Sequence, residues 1–160
     1  GPDAKSTWRY TTNPPLDGWT APAFNDSSWS TGQGGFGTEV PNGKPATPWK
    51  TPDIYLRQEF QLAQVPRAAS LVFHHDEDVT VFLNGVEVFT DKGAMTNYKT
   101  VELDADALRA LKPGANVIAV QCHQTVGGQF VDVGLSAGAL PPRGGSKGHD
   151  LLLDGPTEAK

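Results

Sequence analysis

Only one cysteine, Cys122, occurs among the 160 residues, so no intramolecular disulfide can staple the chain. A chain of this length buries a core without that help. Cys122 follows the apolar run Val117-Ile118-Ala119-Val120 and reads as a buried, inert thiol. It leaves the redox compartment undetermined. Positive charge is also scarce. Thirteen Lys and Arg stand against 18 Asp and Glu, a net charge of -5, which argues against a nucleic-acid or anionic-membrane partner because both need a basic patch. No apolar run approaches the roughly 20 residues of a membrane span. Gly1-Pro2 reads as the remnant of a protease-cleaved tag, so the lack of a leader carries no weight. A neutral, polar or small-molecule partner fits this balance best.

Turn formers are abundant. Gly 18 and Pro 13 beside 38% apolar residues describe short strands joined by turns, in one domain. The first fifty residues hold all four tryptophans, Trp8, Trp19, Trp29 and Trp49. There Asn13-Pro14-Pro15, Asp17-Gly18 and Gly32-Gln33-Gly34-Gly35-Phe36-Gly37 leave room only for short strands. From Asp53, the apolar Ile54, Leu56, Phe60 and Leu62 alternate with Tyr55, Arg57, Glu59 and Gln61, which predicts a half-buried antiparallel strand. Leu71-Val72-Phe73 begins another. Asp104 to Leu111 is the one credible helix, with Asp104 as N-cap and Pro113-Gly114 as its stop. Strands are expected at Val117–Cys122 and Phe130–Leu135. Residues 1–138 form the expected domain. Residues 139–160, opening on Pro141-Pro142-Arg143-Gly144-Gly145-Ser146, read as a linker or C-terminal tail in which Leu151-Leu152-Leu153 docks back or begins a further segment.

The clearest local signal is Asn84-Gly85 between two alternating apolar runs, which predicts a type I′ hairpin. A two-residue turn pairs Leu83 with Val86 and Val81 with Val88. Val79, Val81, Leu83, Val86 and Val88 then share one buried face. Together these elements predict an all-β, antiparallel β-sandwich of jelly-roll type with one short helix.

Several phrases resemble a known family in their order. Phe24-Asn25-Asp26-Ser27-Ser28-Trp29, Asp53-Ile54-Tyr55-Leu56-Arg57 and Val79 to Val88 carry the likeness, with Leu111 to Val120 and Cys122 to Leu135 after them. They resemble phrases of galactose-binding-like β-sandwich domains, which accompany catalytic modules of bacterial glycoside hydrolases and include the sugar-binding domain of family 2. The likeness runs from about Trp8 to Leu135. It implies the fold, and it implies neither a ligand nor a contact list, because the fold hosts carbohydrate-binding modules, docking domains and spacers alike.

Sugar recognition needs flat aromatic faces for pyranose C–H groups and planar polar groups for hydroxyls. Trp49, in the proline-held loop Pro45 to Pro52, is the candidate platform, with a plug of the sandwich as the equal alternative. Trp8, Trp19 and Trp29 read as core. Gly34-Gly35-Phe36-Gly37 reads either as a loop open to a ligand or as a tight connection. The expected contacts are Trp49, Arg57, His75, Asp76 and His123, with Tyr55 and Gln124 behind them. The run His74-His75-Asp76-Glu77-Asp78 raises metal binding. Strand alternation splits it across two faces, and it lacks the spacing of a calcium hand, so no metal site or cofactor is assigned, with structural calcium left as an alternative. The same geometry sets His74 and His75 apart as zinc ligands. Asp76 with Asp132 is the pair to test for glycosidase chemistry, and no catalytic residue is assigned. Gln124, Gln129 and Asp132 are equally suited to closing hydrogen bonds between strand ends.

The expected function is a non-catalytic carbohydrate-binding module of a larger polysaccharide-degrading enzyme, secreted or periplasmic/cell-surface and monomeric. Its partners would be an oligo- or polysaccharide and the catalytic domain of the same polypeptide. The alternative is a structural or docking domain that packs on a neighbouring glycoside hydrolase module without binding sugar.

Overall fold

The computed structural model describes residues 6–138 and the backbone of Asp150 and Leu151. The strands are β1 (Thr7–Thr11), β2 (Ser30–Gln33), β3 (Phe36–Gly37), β4 (Thr47–Pro48), β5 (Asp53–Leu62), β6 (Ala69–Asp76), β7 (Asp78–Leu83), β8 (Val86–Asp91), β9 (Lys99–Glu102), β10 (Gly114–His123), β11 (Phe130–Ala137) and β12 (Asp150–Leu151), with helix α1 (Ala105–Arg109) between β9 and β10. One sheet has the order β2-β1-β5-β10-β7-β8, and the facing sheet has the order β4-β3-β11-β6-β9. All described pairings are antiparallel except β3 with β4. The expected all-β sandwich with one short helix is the fold observed.

Alternation decides which side chains meet between the sheets. Ile54, Leu56 and Phe60 of β5, Val79, Val81 and Leu83 of β7, and Ile118, Val120 and Cys122 of β10 face Leu71 and Phe73 of β6 and Val131, Val133 and Leu135 of β11. Trp8 joins this core at 2% exposure. Burying each large aliphatic side chain contributes about 1.5–3 kcal/mol, so this interior holds the sandwich without a covalent staple.

The hairpin forms with a correction. Asn84 and Gly85 both have positive φ, as a type I′ turn requires, and Leu83 pairs with Val86. The register then shifts, so Val81 pairs with Phe89 rather than with Val88. This bulge breaks the expected common face: Val86 is 48% exposed, and Val88 and Phe89 pack only partly on the core.

The β5 strand departs from its expected alternation for a different reason. Its outward residues Tyr55 and Arg57 are buried as well, because residues 12–29 leave β1 and fold over the outer face of the sheet. Trp19 meets Tyr55 edge-on at 5.4 Å and Phe82 at 5.8 Å, and Phe24 meets Trp29 at 5.8 Å. Trp19 and Trp29 are therefore half-buried in an aromatic layer outside the sandwich, not in its core as expected.

The helix is shorter than the pattern predicts. Asp104 caps it, its carboxylate accepting from the Ala107 N–H at 2.8 Å. The Ala110 and Leu111 N–H groups reach back only three residues, tightening the last turn before Lys112. The expected linker or tail over 139–160 lies outside the described residues except at β12, which pairs with β11 through Ser136↔Leu151 and Ala137↔Asp150.

Candidate functional site at the loop end

The sequence-derived candidates converge on one end of the sandwich, where β5 and β7 begin and β6, β8 and β10 finish. Across the first sheet, Asp53, His123 and Asp78 fall in one register row. The His123 Nδ1 lies 2.7 Å from Asp53 Oδ1, with the imidazole side chain 48% exposed. Asp78 instead accepts the Gly93 N–H at 2.9 Å.

The acidic run separates as strand alternation requires. Asp76 continues β6 beside Phe130, and burial raises its carboxyl above the ordinary value, with the neighbouring Glu77 charge adding to the shift. Glu77 turns toward the 124–128 loop, accepting from the Val126 N–H at 3.1 Å and from the Thr125 hydroxyl. Among the described residues no three His, Cys, Asp or Glu side chains converge as ligands of one metal ion.

Gln124 has its backbone N–H on the Pro52 carbonyl at 2.7 Å, and its Nε2 donates to Gly127 O at 2.8 Å. Its buried Oε1 has no hydrogen-bond partner among the described residues. Gln129 does what a strand-end amide was expected to do: its Nε2 donates to Thr51 O at 2.9 Å, and its backbone exchanges bonds with Thr38.

Three expected contacts are buried and closed to a ligand. Trp49 is 2% exposed, and its indole N–H donates to Thr51 Oγ1 at 3.0 Å and to Asp53 O at 3.2 Å. It plugs the sandwich end and offers no platform. His75 is fully buried, its Nδ1 engaged by the Glu77 carbonyl and its Nε2 lying 2.9 Å from Asp91 Oδ2. Arg57 is 3% exposed and staples the outer cover to the sheet. Its Nε donates to Asp26 Oδ2 at 3.0 Å, Nη1 to Trp19 O and Ala21 O at 2.8 and 3.0 Å, and Nη2 to Phe24 O at 3.3 Å. The guanidinium also lies over the Phe24 ring at 5.3 Å. Tyr55, 8% exposed, sits under Trp19, and burial raises its phenol, with the Asp53 charge adding.

The glycine run is the tight connection. A Cβ on Gly35 would lie 2.6 Å from the Phe130 ring, and one on Gly37 would lie 2.2 Å from Gln129 O. Asp76 and Asp132 are not opposed across a cleft. They lie on one face of one sheet, Asp76 opposite Phe130 and Asp132 opposite His74, and Asp132 accepts the Tyr98 hydroxyl at 2.5 Å. The residues that sequence reasoning missed are Asp26, Asp53, Glu77 and Asp91, each a carboxylate holding a loop or a histidine. Asp26 and Asp53 stand in phrases that carry the family likeness and Glu77 in the acidic run, whereas Asp91 carried no signal.

No protein-family model and no curated protein sequence matches the chain. Solved structures share its fold. A β-glucuronidase from glycoside hydrolase family 2 superposes with a TM-score of 0.54 at 18% identity, over 77% of this chain and 14% of that one. The Bacteroides uniformis β-glucuronidase gives 0.56 at 12%, over 81% and 17%. A glycoside hydrolase family 2 member from Bacteroides cellulosilyticus gives 0.56 at 14%, over 81% and 20%. At such identities the likeness is one of fold, and this chain spans about a fifth or less of those proteins.

Proposed function

We propose that this chain is a non-catalytic, galactose-binding-like accessory domain of a larger glycoside hydrolase, and that it holds its enzyme on a glycan. The observation that supports this reading best is the coverage: about four-fifths of the chain superposes on a small part of much longer glycoside hydrolases. With Trp49, Arg57 and His75 buried and satisfied, the loop-end contacts reduce to His123, Gln124 and Asp76. A module of this kind raises local substrate concentration without chemistry. It acts as a monomer, joined to its catalytic module, and meets its glycan outside the cytoplasm. A glycan array followed by calorimetry tests the reading: saturable binding to at least one plant, algal or host glycan is expected. A folded chain that binds none of them overturns it.

A second reading, a docking domain that binds no sugar, has its own support. The described tryptophans leave no aromatic face fully open, whereas Leu16, Val86 and Val126 are exposed at 79%, 48% and 76%. It predicts that a parent enzyme lacking residues 6–138 loses stability or activity on soluble substrates too, not only on polymers.

A further inference from the structure

A cleft of about 400 Å³ opens on the outer face of the first sheet, between β1, β2, β5 and the cover segment 12–29, on a different surface from the loop end. We propose that it binds one neutral sugar residue of a glycan, a ring with an apolar C–H face and several hydroxyls. The proposal rests on the glycan-binding reading and moves the contact from the loop end to this cleft.

Volume is the first argument, since small-molecule sites fall at about 300–1,000 Å³. The second is a fixed aromatic wall. Phe24 lines the cleft, and its ring is held by the Arg57 guanidinium at 5.3 Å and by Trp29 at 5.8 Å. A wall ordered in advance loses little entropy when a pyranose face settles on it.

The polar lining matches hydroxyl chemistry. Asp26 commits Oδ2 to Arg57, and its side chain is still 26% exposed. Thr7 and Thr31, both exposed, add hydroxyl groups to the lining. On the rim stand Arg9 and Glu59, both exposed, one offering N–H donors and the other carboxylate acceptors. A sugar hydroxyl donates and accepts at once, so a rim with both roles suits it. The two guanidinium groups balance the two carboxylates, which selects a neutral ring over a uronate.

The test is a ¹⁵N-labelled titration of this 160-residue chain with methyl β-glucoside, methyl β-galactoside, methyl α-mannoside and methyl β-glucuronide. Saturable shifts are expected at the amides of 7–9, 24–26, 31 and 57–59 with a neutral glycoside, and not at 123–128. Arg9→Ala and Glu59→Gln, both at exposed positions, should each weaken Kd about tenfold with an unchanged overall spectrum. Glu87→Gln, at an exposed position on the opposite edge strand β8, should leave Kd unaltered. Shifts confined to 123–128 overturn the cleft and leave glycan binding standing. A Kd within twofold of the parent in both rim variants also overturns the cleft, as does a preference for the glucuronide. The absence of saturable shifts with any probe overturns the cleft, whereas the wider glycan reading falls only if the array is blank as well.

Discussion

His74 is the side chain whose chemistry depends most on being out of water. It is fully buried, its Nε2 donates to Pro41 O at 2.8 Å, and Tyr98 and Phe130 stand edge-on to the ring. The Nδ1 has no hydrogen-bond partner among the described residues. Burial lowers its pKa. The Pro41 bond and the Asp76 charge oppose that shift, while neighbouring His75 adds to it. A base whose folded pKa lies below its unfolded value takes up its proton more readily on unfolding. Stability is then fully present above the unfolded value, near 6.5, and falls as pH drops toward the folded one. The slope contributed is at most about 1.4 kcal/mol per pH unit. Asp76, whose carboxyl is raised in the fold, contributes with the opposite sign, gaining stability as pH falls through its folded value. Urea unfolding between pH 7.5 and 5 should show the His74 slope, and His74→Gln, which keeps a donor toward Pro41, should flatten it. Parallel curves for the two proteins would refute the assignment. At this scale much was illegible in the sequence. Arg57 and Tyr55 alternate outward on β5 as the pattern says, yet a segment some thirty residues upstream covers them. Trp49 and His75 carry the right residue types for sugar contact, but whether a ring faces water is set by distant chain, which local spacing does not encode.

Elements were far more legible, because strand period and turn chemistry are local. The β5, β10 and β11 strands, the capped helix and the Asn84-Gly85 turn all fall where their patterns place them. What the pattern missed in the hairpin is the register shift at Val81/Phe82, since both registers keep an apolar residue opposite Val81. It also missed why this turn uses Asn. The Asn84 Nδ2 donates to Ala110 O and to Asn116 Oδ1, both at 2.8 Å, and its Oδ1 accepts the Val117 N–H at 2.8 Å. Asn116, fully buried, donates to Lys112 O and Gly114 O at 2.8 and 3.0 Å and accepts the Lys112 N–H at 3.0 Å. The two amides lock the hairpin to the end of α1 and the start of β10. Asn84→Ala should therefore cost about 2–4 kcal/mol, from positive φ plus polar groups left unpaired. Asn84→Gly, which relieves φ alone, should cost about 1–3 kcal/mol. A double-mutant cycle of Asn84→Gly with Asn116→Ala, read by urea midpoints, should show coupling of about 0.5–3 kcal/mol. Strict additivity would show that the two amides act independently.

At the scale of the molecule, the two sheets meet on a core that either holds together or opens as one, and Cys122 is positioned to report which. It is fully buried on β10, with its Sγ 3.8 Å from the Phe130 carbonyl of the facing sheet. Burial pushes the thiol pKa up, and the Asp76 and Asp78 carboxylates push it further. The thiolate that alkylating reagents require is thus suppressed, and the sulfur is out of reach as well. Reaction with iodoacetamide needs the β10–β11 contact to separate. That contact joins β10 and β11, each central in its sheet, and although it sits beside the loop end, the cross-sheet packing around it gives way only with the shared core. The labelling rate at pH 8 should then equal the unfolded-state rate multiplied by the fraction unfolded. Its logarithm should rise with urea at the slope of global unfolding, and Asn84→Ala should speed it in proportion to the stability lost. A rate independent of urea, or one near that of the unfolded chain in native buffer, would mean that the sheets separate by a smaller opening. The two faces would then act as separate units, not as the single cooperative body that the shared core implies.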